Sequence, residues 1–121
     1  MRLNHLNLCV SNIIEARDFF RDIFDFRLVE QKGEAIAVMN DGHGFTLVLS
    51  GPRTNGDAVA AYPQDFHVGF YVDTREEVDR FCDRLVAADV AVDHRPREIR
   101  GGYTLYFTAL GGIMFEVTSF A

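Results

Sequence analysis

A chain of 121 residues, 48% hydrophobic and 25% charged, has the size and composition of one ordinary globular domain able to bury roughly two-thirds of its unfolded surface. A net charge of −6, with Lys32 the only lysine, leaves no basic face to neutralise phosphates and excludes nucleic acid as the main partner. No apolar run nears the roughly 18 residues of a membrane span, and the N-terminus lacks a signal peptide's apolar stretch and cleavage site, so no membrane partner and a cytoplasmic location are expected.

The first element is a strand–helix unit within Asn4–Asp25, and the same unit recurs 62 residues later. The slide puts His5 on His67, Val10 on Val72, Asn12 on Thr74, Glu15 on Glu77, Phe19 on Phe81 and Ile23 on Leu85. After the first unit, Phe26–Glu30 reads as a strand ended by the turn at Lys32-Gly33. Ala35–Met39 is a second strand, closed by Asn40-Asp41-Gly42, and Phe45–Leu49 a third, closed by Ser50-Gly51-Pro52. From Arg53 to Gln64 the composition shifts to Gly, Asn, Asp, Ala and Pro, as in a linker or loop.

In the second copy Phe66, Val68, Phe70 and Val72 alternate with the period of a strand. Asp73-Thr74 stops it, Thr74 and Glu77 spell a capping box, and Val78, Phe81, Cys82 and Leu85 form one apolar helical stripe. Ala91–Pro96 then reads as extended and Arg100-Gly101-Gly102 as a turn. Thr104–Thr108 and Ile113–Thr118 read as strands joined at Leu110-Gly111-Gly112. Cys9 and Cys82, without CxxC spacing, read as reduced and mostly buried small hydrophobes.

These elements predict an α+β chain of two tandem βαβββ modules within one domain, 1–121: module 1 over about 1–52, a connection over 53–64, module 2 over about 65–121. A four-stranded sheet covered by one helix keeps an open face, and two such sheets can enclose a cupped half-barrel lined by alternate strand residues. The remaining sheet edges predict a homodimer.

Three residues of metal-ligand type stand out. His5 and His67 are equivalent by the repeat, and Glu116 interrupts an apolar strand on the face it shares with Met114 and Thr118. Each alone is ordinarily a surface or satisfied residue. A carboxylate within an apolar strand, however, is costly to bury unless paired or metal-bound. Two imidazoles and one carboxylate on inward faces are a set that holds a divalent ion with open positions for a substrate.

On Leu3-Asn4-His5-Leu6, Glu15–Phe20, Phe24-Asp25-Phe26, Phe66–Phe70 and Phe115-Glu116-Val117, the chain resembles the vicinal oxygen chelate superfamily, the glyoxalase/bleomycin resistance/dioxygenase group, over essentially its whole length. The resemblance implies the paired βαβββ fold and a site at His5, His67 and Glu116 for a divalent ion (Fe2+, Mn2+, Zn2+ or Ni2+). The fourth ligand place of the family falls on or beside Val48, which neither binds metal nor moves protons; this demotes glyoxalase-type isomerisation and epimerisation. The remaining set favours ring-cleaving extradiol dioxygenation among named reactions, with a lyase, an isomerase or a thiol transferase open. Thiol transfer to fosfomycin wants a cationic pocket. Thr104 supplies a hydroxyl there, while the expected lysine falls near Pro96 and the usual distal arginine is not present. The rival class is a metal-free, bleomycin-resistance-like protein that sequesters a bulky cationic or aromatic ligand.

Tyr106, which shares a strand face with Thr104, and Tyr103 are the catalytic candidates, with His43 and His94 as further acid–base candidates. Thr104, Arg100, Val48 and Asn7 are the substrate-binding candidates. Arg53 and Arg97 join Arg100 as possible anchors for an anionic small molecule, and Tyr62 is a candidate lid.

Overall fold

A computed structural model describes residues 1–52 and 61–121. The expected connection lies, as far as Ala60, outside the described residues, and Arg53 with it. The chain divides into two compact units, Met1–Ala60 and Ala61–Ala121.

The first unit runs β1 (His5–Cys9), α1 (Ile13–Phe24), β2 (Arg27–Lys32), β3 (Ile36–Asn40) and β4 (Thr46–Ser50). The Asn12 side chain caps α1 by accepting from the Glu15 amide, and Asp25 ends the helix in the left-handed region at φ 61°. The sheet order is β1-β4-β3-β2, with β1 and β4 parallel and the other neighbours antiparallel. One face packs on α1: Leu8, Ala37, Met39, Leu47 and Leu49 meet Ala16, Phe20 and Ile23 in the core. Strand β2 carries a bulge between Leu28 and Glu30.

The second unit repeats the plan with β5 (His67–Tyr71), α2 (Arg75–Ala87), β6 (Arg97–Ile99), β7 (Gly102–Ala109) and β8 (Ile113–Ser119), in the order β5-β8-β7-β6. Thr74 caps α2 by accepting from the Glu77 amide. Val78, Cys82 and Leu85 are fully buried against Leu105, Phe107, Phe115 and Val117. Both units are thus the predicted α+β βαβββ modules. No helix among the described residues is long and apolar enough to cross a membrane.

Two expectations change. The extended segment at Ala91–Pro96 forms only an isolated bridge, Val92 to Phe107, and the strand begins at Arg97 instead. Pro96 has no N–H to donate to a ladder, so regular pairing starts after it. Cys9 is exposed rather than buried, because strand alternation puts it on the face of His5 and Asn7, away from α1.

Candidate metal and substrate site

The open face of the second sheet carries the chemistry. Parallel pairing of β5 with β8 sets Gly69 opposite Glu116, one step from the His67–Met114 pair, and antiparallel pairing of β7 with β8 sets Tyr106 on the other side of Glu116. Glycine at position 69 leaves the flank of the carboxylate open: a Cβ there would lie 3.8 Å from Glu116 Oε2. His67 Nε2 lies 3.3 Å from Glu116 Oε2, with the two side chains 40% and 23% exposed. Tyr106 and Glu116 are direct cross-strand partners. Burial, reinforced by the Glu116 charge, holds that phenol above its usual range, and Arg100 opposes the rise.

The protonation pattern of His67 follows from its neighbour. Nδ1 is 3.0 Å from the Asp65 carbonyl oxygen, which can only accept, so Nδ1 carries a proton and Nε2 is the nitrogen turned toward Glu116. A lone pair facing a carboxylate oxygen at 3.3 Å is unfavourable unless a proton or a cation sits between them. Two donors about 2.1 Å from one ion and at right angles lie about 3 Å apart, so the spacing fits adjacent metal ligands. His5 is prepared the same way: its Nδ1 lies 2.7 Å from the Asn4 side-chain oxygen, again leaving Nε2. This pattern, in which a histidine's outer N–H is fixed by an oxygen, is typical of metal-binding imidazoles. Among the described residues no three His, Cys, Asp or Glu side chains are placed so that together they could hold a metal ion.

A cavity of about 560 Å3 opens beside His67, lined also by Asp65, Asp93, His94, Arg97, Arg100, Tyr106 and Met114. Neither Arg97 nor Arg100 is ion-paired among the described residues. The Tyr106 ring meets two imidazoles in edge geometry, 6.3 Å from His67 and 6.2 Å from His94.

Of the sequence candidates, His67, Glu116, Tyr106 and Arg100 come together here. Thr104 shares the face, but it is only 1% exposed and its hydroxyl is 2.7 Å from that of Thr118. Tyr103 points the other way: it pairs with Ser119, and its hydroxyl donates to Asp79 of α2 at 2.6 Å. Asn7 and Val48 are cross-strand partners in the first sheet, and Ser50 donates to the Asn7 side chain at 2.8 Å. Asn7–Val48–Val38 is the row that corresponds to Gly69–Glu116–Tyr106, which fixes Val48 as the counterpart of Glu116. His43 is exposed in the β3–β4 turn, and Tyr62 stacks on Phe66 at 4.5 Å. The sequence did not distinguish His94 from His43, since neither lies on a periodic element.

A family model of the glyoxalase/bleomycin resistance protein/dioxygenase superfamily matches residues 2–117. The chain belongs to this superfamily. Within it, the chain is 28% identical over 115 residues to the metallothiol transferase FosB of Staphylococcus epidermidis, covering 95% of this chain and 81% of that one. Among solved structures, a possible glyoxalase from Bacillus cereus is 36% identical with a TM-score of 0.84, each chain covered to 98%. The lactoylglutathione lyase of Agrobacterium tumefaciens is 25% identical with a TM-score of 0.78, covering 98% of this chain and 92% of that one. The superfamily's paired-module fold is the one described above.

Proposed function

We propose that this chain is a divalent-metal-dependent enzyme acting on a small, anionic, oxygen-bearing molecule. The observation that carries the reading is His67 Nε2 held 3.3 Å from Glu116 Oε2, the spacing of two neighbouring ligands of one ion. His67 and Glu116 would hold the ion, and the family resemblance adds His5, whose Nδ1 is engaged by the Asn4 side chain, to the ligand types. The ion, when bound, supplies a Lewis acid for a substrate oxygen. Arg97 and Arg100 would anchor the anionic end of the substrate with their fork-shaped guanidinium groups. Tyr106, the cross-strand partner of Glu116, would flank the ion on the β7 side.

Ring-cleaving dioxygenation is the reaction the ligand set alone favours. The two arginines, together with the likeness to a metallothiol transferase, support transfer of a nucleophile to an anionic substrate ahead of it. Valine at the counterpart of Glu116 gives no support to a reaction that shuttles a proton between two carboxylates. The rival reading, a metal-free protein that sequesters a bulky cationic or aromatic ligand, leaves the His67–Glu116 spacing without a role. A homodimer belongs to this proposal, on the superfamily's habit.

The experiment is elemental analysis of chelator-stripped protein reloaded with iron, manganese, zinc or nickel, followed by assays that pair a thiol with small phosphonate or carboxylate electrophiles. About one ion per chain is expected, lost in His67→Ala, with turnover that collapses in Arg100→Ala. Failure to retain any of the four ions would overturn the reading.

A further inference from the structure

The cavity beside His67 holds a second imidazole that the metal reading leaves unused. His94 lies in the segment between α2 and β6, half-buried, with its ring edge-on to Tyr106 at 6.2 Å. Its Nδ1 is 2.7 Å from the Arg95 carbonyl oxygen, so Nδ1 carries the proton and Nε2 is the nitrogen left for the cavity.

The ionisable groups around it are of both signs. Asp93 flanks it on its own segment, Asp65 and His67 come from the β5 side, Arg97 from β6, Arg100 from the β6–β7 turn, and Tyr106 from β7, with Glu116 opposite it on β8. On the side of α2, Arg95 is engaged by Asp83 at 3.4 Å. Among the groups that line the cavity, the two arginines and the two aspartates cancel in formal charge, and the Glu116 carboxylate lies beside His67. A proton gained by His94 therefore adds one positive charge directly beside the two arginines.

The geometry points to His94 as the proton-gated member of an oxyanion site. Neutral, it leaves Arg97 and Arg100 offset by Asp65 and Asp93. Protonated, its Nε2–H becomes a third cationic donor to a bound tetrahedral oxyanion, so anion affinity rises as pH falls through the titration of His94. This rests on the anionic-substrate reading and adds to it a direction in pH and the group responsible.

The test needs neither the metal nor the natural substrate. Sulfate is the probe, because its charge is constant across the range in which imidazoles titrate. The full chain, stripped with a chelator, is titrated by NMR between about pH 5.5 and 8 with and without sulfate, with the His94 ring signal assigned by its loss in His94→Gln. Saturating sulfate is expected to raise the His94 midpoint by about one pH unit, the linkage equivalent of a roughly tenfold preference for the protonated form. One charge-assisted hydrogen bond accounts for a preference of that size. His94→Gln should flatten the pH dependence of sulfate binding, and His94→Lys, permanently charged, should bind sulfate tightly at every pH in the range. Sulfate that perturbs the Arg97 and Arg100 amides without moving the His94 midpoint, or that moves only His67, overturns the role of His94 and spares the anion reading. Absence of any sulfate effect on Arg97 and Arg100 in the wild type and in His94→Lys overturns both.

Discussion

Replacing Glu116 by Gln removes a charge and a ligand oxygen while keeping the shape of the side chain, and its consequences can be worked out in advance. Without metal the cost is small. His67 and Glu116 are 40% and 23% exposed, and a part-exposed pair of this kind contributes about 0–1 kcal/mol, so the stripped variant should melt within a few degrees of the wild type. With metal the two proteins separate. At a free ion concentration a hundredfold above Kd, binding stabilises the wild type by about 2.7 kcal/mol, or about 10 °C at roughly 4 °C per kcal/mol. Partners that merely orient a ligand are worth about 10–100-fold in metal affinity, so losing the ligand itself should weaken binding at least about a hundredfold. The ion is then near the variant's Kd and stabilises it by only about 0.4 kcal/mol, a shift below about 2 °C. Differential scanning fluorimetry on chelator-stripped protein, with and without manganese, zinc, iron or nickel, reads both numbers. Equal metal-induced shifts in wild type and Glu116→Gln would show that the ion binds elsewhere and would refute the assignment.

Two further outcomes rest on geometry outside the metal edge. Gly51→Ala would place a Cβ 2.4 Å from the Glu34 carbonyl oxygen and 3.0 Å from Ile13, so the backbone must shift, at a cost of about 1–3 kcal/mol in a denaturant titration; Gly69→Ala, with 3.8 Å of clearance to Glu116, should cost under about 0.5 kcal/mol, and equal losses in the two would contradict the packing described. Tyr103 is held above the usual phenol range chiefly by its hydrogen bond to Asp79 and Tyr106 chiefly by burial, so both favour the neutral phenol in the folded state. That contribution is complete below the unfolded value of about 10 and is lost as pH rises from there through the folded-state values. Stability should fall above pH 10, and Tyr103→Phe should shrink the fall while costing about 1 kcal/mol at neutral pH; an undiminished fall in the variant would count against the Asp79 bond as its source.

The parts legible in the sequence are those specified locally. The repeat of 62 residues recovers β1 and β5 as His5–Cys9 and His67–Tyr71 and starts the helices at Ile13 and Arg75, because alternation and a capping side chain act within a few residues. The same slide loses its hold later in the module. Extra residues between α2 and β6 lengthen the offset to 68 by the last strands, which is why the sequence could put the counterpart of Glu116 only on or beside Val48. Polarity likewise misjudged Cys9, whose burial depends on which face α1 covers rather than on its residue type.

The sequence by itself determined the order of the elements, the face each strand residue takes relative to its own strand, and the charge that keeps nucleic acid away. Tertiary structure alone decided who stands next to whom. A strand slipped by two residues keeps its apolar face buried, so the hydrophobic pattern cannot choose between such registers. Pairing between β5 and β8, far apart in the chain, sets Gly69 rather than His67 or Tyr71 opposite Glu116 and brings the imidazole within 3.3 Å of the carboxylate. The β7–β8 register then admits Tyr106 to that face and sends Tyr103 to the helix side. His94, on no regular element, reaches the cavity only because the chain leaving α2 crosses beside Tyr106 on its way to β6.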